Sequence, residues 1–150
     1  MIEIVGASPA HVGTVANRMR TADVEECRAL GRSPKQALRQ ALISSTLAWT
    51  AKVDGRPEAL FGLAPVSLLD GRGTPWMLGT DAIYRNPRAL IRVGPRFLSA
   101  MLDSSRILTN VVSAGNIRAI RMLKAWGFEI GDETKMIGGV AFLDFRMERG

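Results

Sequence analysis

The sequence predicts one domain of the α+β (mixed α/β) class, spanning residues 1–150, with a central, mostly antiparallel sheet of six or seven strands flanked by helices. Three observations carry this. Short apolar runs bounded by Gly and Asp turns follow one another directly between Thr46 and Thr80, whereas later runs alternate with helical patterns. Ser8-Pro9, Ser33-Pro34 and Asn86-Pro87 are each a capping residue followed by a first-position proline. Finally, 150 residues with 47% hydrophobic and 23% charged content can bury a full core. The single Cys27 and single His11 supply neither a disulfide nor a structural metal site.

In chain order, Ile2 to Val5 is a first strand, closed by Gly6. Ser8-Pro9 opens a helix to about Arg20, with Val12, Val15, Ala16 and Met19 on one stripe. A second helix, Ala22 to Leu30, stops at Gly31, and a third starts at Ser33-Pro34 with Ala37, Leu38, Ala41 and Leu42 on its apolar face. Thr46 to Val53 and Ala59 to Leu69 form a hairpin about Asp54-Gly55-Arg56-Pro57. Asp70-Gly71-Arg72-Gly73 then turns into a third meander strand, Pro75 to Thr80. The helix capped by Asn86 meets Gly94-Pro95, which predicts a kink or two short helices ending near Ser104. Ile107 to Val112 is a buried strand, Asn116 to Trp126 a helix stopped by Gly127, and Phe128 to Ile130 and Val140 to Met147 are the final strands.

The net charge is +6, and its location is informative. Arg85, Arg88, Arg92, Arg96, Arg106, Arg118, Arg121 and Lys124 face one acid, Asp103, so Arg85 to Lys124 alone carries +7. The first four arginines are spaced for one helical face. The stretch reads either as a solvated face or as a surface for phosphate or for an acidic partner protein. Nucleic acid fits poorly, because no aromatic residues interleave the arginines for base stacking and no helix-turn-helix signature is present. The opening MIEIVGASP lacks the basic region of a secretory signal, and Ala41 to Ala51 is too short and too polar to span a bilayer. These features predict no membrane partner and a cytoplasmic setting.

Ligands of mixed sheets bind beyond the carboxyl ends of strands, against helix N-termini. Leu78-Gly79-Thr80 leading to Asn86-Pro87 is one such place, and Asn110 to Asn116 is another. The second runs on into Asn116-Ile-Arg-Ala-Ile-Arg-Met-Leu-Lys-Ala-Trp-Gly-Phe128, which resembles the Asn-x-x-Ala-(6 to 7 residues)-Gly-Phe signature of the GNAT (Gcn5-related N-acetyltransferase) superfamily. The resemblance implies a GNAT-like fold with two splayed parallel strands, here Trp76 to Thr80 and Ile107 to Val112. It further implies acetyl-CoA as cofactor, an amine as substrate, and a pyrophosphate seated at the N-terminus of the helix after the first of those strands. The cofactor residues so implied are Leu78, Gly79, Thr80, Arg85, Arg88, Asn110, Asn116 and Arg121. Asp81 is the carboxylate implied as general base, or else a partner for Arg85. Ser113 or a water would serve the leaving thiolate. No metal ligand is implied.

Two positions depart from the family pattern. Tyr84-Arg85-Asn86-Pro87-Arg88-Ala89 stands where the family has a glycine-bearing pyrophosphate loop, and Leu123 stands where it usually has a tyrosine acid. The form Asn110-x-Val112-x-x-Gly115-Asn116, then Ile120-Arg121-x-Leu123-Lys124-x-x-Gly127, resembles the GNAT-like internal virion proteins of T7-type tailed phages and prophages. That likeness implies phage structural proteins as partners, the bacterial host cytoplasm or the phage particle as location, and a non-catalytic assembly role as the alternative to acetyl transfer. Self-association into an oligomer is compatible with either. His11 reads as a surface or cap histidine or a base, Cys27 as a small apolar filler, and Trp49, Trp76 and Trp126 as packing.

Overall fold

The computed structural model describes all residues from Met1 to Gly150. The elements are β1 (Ile2–Gly6), α1 (Val12–Ala16), α2 (Thr21–Ala29), α3 (Pro34–Ser44), β2 (Leu47–Val53), β3 (Arg56–Ser67), β4 (Arg72–Gly79), α4 (Pro87–Ser104), β5 (Ile107–Ser113), α5 (Ile117–Ala125), β6 (Glu129–Ile130), β7 (Lys135–Ile137) and β8 (Val140–Glu148). Short 3-10 turns at Pro9–His11 and Asp81–Tyr84 precede α1 and α4. One eight-stranded sheet runs β1-β2-β3-β4-β5-β8-β6, with β7 also paired to β8. All pairings are antiparallel except β4 with β5.

Helices cover both faces. Val12, Val15, Met19, Cys27, Ala37, Leu38 and Leu60 form the core under α1 to α3. On the other face α4 and α5 close over two clusters, one around Leu63, Leu98, Leu108, Phe128 and Phe145, the other around Ala51, Ile83, Tyr84, Leu90 and Met122.

Four local outcomes differ from the sequence expectation. The helix foreseen from Pro9 to Arg20 is a 3-10 turn plus the five-residue α1, because the chain leaves it to pair Met19 with Thr80 and Arg20 N–H with the Gly79 carbonyl. The α4 helix is continuous through Pro95. The third meander strand starts at Arg72, three residues earlier than its apolar run. A short extra strand, β7, pairs with β8 across Gly138 and Gly139, both at positive φ as a two-residue type I′ turn requires.

The feature that positions the site is the parallel pair. β4 and β5 pair only at Arg72 with Ile107 and Gly73 with Leu108. A Cβ on Gly73 would lie 2.6 Å from Ser105 Oγ and 2.7 Å from Leu63 Cδ1, so only glycine permits this close join. Beyond it Pro75 offers no N–H, and Asn110 Nδ2 donates to the Pro75 carbonyl at 2.7 Å, holding the strands one side chain apart.

Candidate functional site in the cleft between β4 and β5

The strands diverge into a cleft of about 370 Å³ that reaches from α2 and α3 on one face to α5 on the other. Its walls include Asp23, Glu26, Trp76, Met77, Leu78, Tyr84, Asn110, Asn116, Leu123 and Trp126. Antiparallel pairing alternates inward and outward peptide groups along a strand. Gly79 turns both its N–H and its carbonyl away from β3, so Met77, two residues earlier, directs its N–H and carbonyl into the cleft. Pro75 belongs to the same set, which explains why a proline is tolerated inside an internal strand.

The mouth of the cleft is spanned by side chains that the sequence patterns did not single out. Asp23 on α2 accepts from Gly79 N–H at 2.9 Å and from Arg20 Nη1 at 2.8 Å. Glu26, one turn on, accepts from Ser113 N–H at 2.8 Å and from Asn116 Nδ2 at 3.1 Å. Arg20 Nη1 also donates to Asn116 Oδ1 at 3.1 Å. One helix is thus tied to the ends of both splayed strands. Burial pushes Asp23 up to about 6, against the pull of the Arg20 charge and the Gly79 amide. Glu26 makes no ion pair, and its carboxylate lines the cleft.

Tyr84 lies under the Arg20 guanidinium, 4.5 Å from its ring centroid, on the cleft wall. Burial, reinforced by Asp23, pushes its hydroxyl well above the ordinary range, so it stays protonated. Trp126 presents a buried indole N–H with no hydrogen-bond partner, although buried polar groups are nearly always paired. Burial pushes the Cys27 thiol up to about 11, which suits an inert filler.

The residues implied by the sequence resemblance divide into three groups. Leu78, Asn110 and Asn116 line the cleft. Asn116 occupies the N-cap position of α5 without capping it, because its side chain is committed to Arg20 and Glu26. Gly79 lies at the mouth with its N–H taken by Asp23, and Ser113 N–H is taken by Glu26. Thr80 turns away, donating from Oγ1 to the buried Glu58 at 3.0 Å. Burial raises the Glu58 pKa, but hydrogen bonds from Arg18 and Thr80 and the charges of Arg18 and Arg56 more than offset this and hold it below the usual range.

Asp81 and Arg85 line a separate surface hollow with Arg20, Thr21, Ala22 and Arg118, and Asp81 and Arg85 form no ion pair with each other. Arg88 and Arg121 are exposed on α4 and α5 and line neither space. His11 Nδ1 meets the buried Thr50 hydroxyl at 2.7 Å, away from the cleft, and burial, then the Lys52 charge, lowers its pKa.

At the N-terminus of α4, Pro87 has no amide to offer, while Asn86 takes the Ala89 N–H with its side chain and the Leu90 N–H with its carbonyl. This helix end is largely satisfied by the chain itself. Positive charge is instead provided by Arg85 and Arg118 around the hollow. No helix is long and apolar enough to cross a membrane, and no group of three or more His, Cys, Asp or Glu side chains could hold a metal ion.

No protein-family model matches the chain, and no curated protein matches its sequence. Solved structures do match in shape. Aminoglycoside acetyltransferase AAC(6')-Ib in complex with coenzyme A superposes with a TM-score of 0.69 at 14% identity, covering 99% of this chain and 95% of that one. The ribosomal-protein-S5-alanine acetyltransferase from Vibrio fischeri gives 0.68 at 13% identity, over 98% and 92%. A GNAT-family acetyltransferase from Streptococcus pneumoniae gives 0.61 at 13% identity, over 100% of both chains. With the parallel β4-β5 pair opening inside a mostly antiparallel sheet, the chain has the fold of the GNAT acetyltransferases.

Proposed function

We propose that the protein is an acyltransferase of GNAT type that takes acetyl-CoA in the β4-β5 cleft and transfers the acyl group to an amine. The observation that carries this is the open splay itself, with the Met77 peptide group unpaired on its edge. Bound there, acetyl-CoA would supply an activated thioester. The Met77 N–H would polarise its carbonyl, and Glu26, a cleft carboxylate without a cationic partner, would receive the proton from the attacking amine. Glu26 suits this role better than Asp81, which lies in the outer hollow. Tyr84, on the cleft wall, would stand in for the tyrosine missing at Leu123 as donor to the departing thiolate, and is better placed than Ser113, which does not line the cleft. Arg85 and Arg118 would meet the phosphates in place of a glycine loop. Calorimetric titration with acetyl-CoA tests the reading. One-to-one binding in the micromolar range is expected, and no heat at millimolar ligand would overturn it.

Pro87 and Leu123 favour a second reading: a phage internal virion or assembly protein that keeps the fold without catalysis. The likeness of Asn110 to Gly127 to the phage group supports it. Its partners would be acidic surfaces of phage structural proteins, meeting the exposed Arg88, Arg92 and Arg96, none of which is ion-paired. Its location would be the host cytoplasm or the particle. Co-purification with assembled particles supports this reading, and absence from particles and assembly intermediates refutes it.

A further inference from the structure

A second cavity of about 90 Å³ lies on the α4 side of the sheet, immediately behind the cleft. It is several times the ~15 Å³ that one water requires, yet its wall is almost wholly apolar, including Ala51, Ile83, Leu90, Gly94 and Phe97. An apolar wall of this kind holds water poorly and favours hydrocarbon. It shares Met77, Leu123 and Trp126 with the cleft, so a single layer of side chains separates the two. The Met77 peptide, where a thioester carbonyl would be polarised, therefore stands beside an apolar pocket.

We infer that this chamber receives the acyl chain of the donor, and that the preferred donor carries an aliphatic acyl group longer than acetyl, of about four carbons. The inference rests on the cleft holding an acyl-CoA. Two features shape the chamber. The small Ala51 leaves room where a larger residue would fill it, and Trp126 is seated as its door post against Gly94. A Cβ at Gly94 would come within 2.6 Å of Trp126 Cζ2 and closer still to Cε2 and Nε1, so the indole lies directly on the α4 backbone. Its orphaned N–H stands beside the chamber.

The test is calorimetric titration of the full chain with CoA, acetyl-CoA, butyryl-CoA and octanoyl-CoA. Each buried methylene should tighten binding roughly fourfold, so butyryl-CoA should bind about 15-fold tighter than acetyl-CoA, with octanoyl-CoA gaining nothing further. Ala51→Leu, which fills the chamber, should reduce the butyryl-to-acetyl affinity ratio towards one. Leu90→Ala, which enlarges it, should move the optimum to a longer chain and serves if Ala51→Leu does not fold. Equal binding of acetyl-CoA and butyryl-CoA, or a ratio unchanged in both variants, overturns the inference while leaving the acyltransferase reading intact. Failure of every ligand, CoA included, overturns both.

Discussion

Changing Asn116 to aspartate separates two accounts of this residue by the sign of the effect. As a helix N-cap, aspartate is as good as asparagine, and its charge at a helix N-terminus adds about 0.3–1 kcal/mol of stability. The structure gives Asn116 a different role. Its Oδ1 accepts from Arg20 and its Nδ2 donates to Glu26, with no bond to the helix amides. Aspartate keeps the first contact and loses the second, setting two carboxylates together where a donor had been. Coulombic attraction to Arg20 and repulsion from Glu26 act over the same 3.1 Å and largely cancel. What remains is the lost hydrogen bond to a charged group, about 1.5–3 kcal/mol, plus the cost of a second buried carboxylate. Asn116→Asp is thus destabilised by about 2–4 kcal/mol in urea unfolding at pH 7, a fall in Tm of roughly 5–15 °C for a chain of this size. Adding Glu26→Gln restores a donor and recovers most of the loss. An Asn116→Asp protein as stable as the parent would refute the network account.

Two further outcomes follow from packing and burial. Gly94→Ala should destabilise despite the better helix propensity of alanine, about 1 kcal/mol, because the new Cβ pushes into Trp126 at a typical overpacking cost of about 1–3 kcal/mol. In a Trp126→Ala background the same change should stabilise, and thermal unfolding of the four proteins reads the reversal. Asp23 should impose a pH slope. Its folded pKa of about 6 stands above its ordinary 3.8, so its contribution is complete below about pH 4 and is lost as pH rises through 6, about 3 kcal/mol in all. The stability of the parent relative to Asp23→Asn should decline across that window, whereas a pH-independent difference would contradict the buried placement.

The fold was legible because its punctuation is local. Ser33-Pro34 and Asn86-Pro87 start helices where they stand, and Asp54-Gly55 turns the β2-β3 hairpin with both residues at positive φ. The splay was legible only through the likeness of Asn110 to Phe128 to a known segment. β7 escaped notice because Lys135-Met136-Ile137 is three residues long with no alternation, and its pairing depends on β8. The shortening of α1 is tertiary: no local signal says that Met19 and Arg20 will pair with the end of β4.

The site was less legible, for the same physical reason. Asp23 and Glu26 lie on a helix whose sequence gives no apolar face, and their partners Gly79, Ser113 and Asn116 are at least 56 positions away. Spacing on α2 could have suggested a shared face for the two carboxylates, but not what that face meets. Nothing local to Tyr84 signals that the 3-10 turn at Asp81–Tyr84 folds it onto the cleft wall. Arg88 and Arg121, cofactor residues by the resemblance alone, stay in solvent.

The central claim is that the Met77 peptide group in the β4-β5 splay receives an acyl donor. Amide spectra of the isotopically labelled protein, recorded with and without acetyl-CoA, test it most directly. The account predicts saturable shifts at Met77, Leu78, Val111 and the Trp126 indole N–H, along the two strands that diverge. Spectra unchanged at millimolar acetyl-CoA, or shifts confined to the exposed arginines of α4, would contradict it.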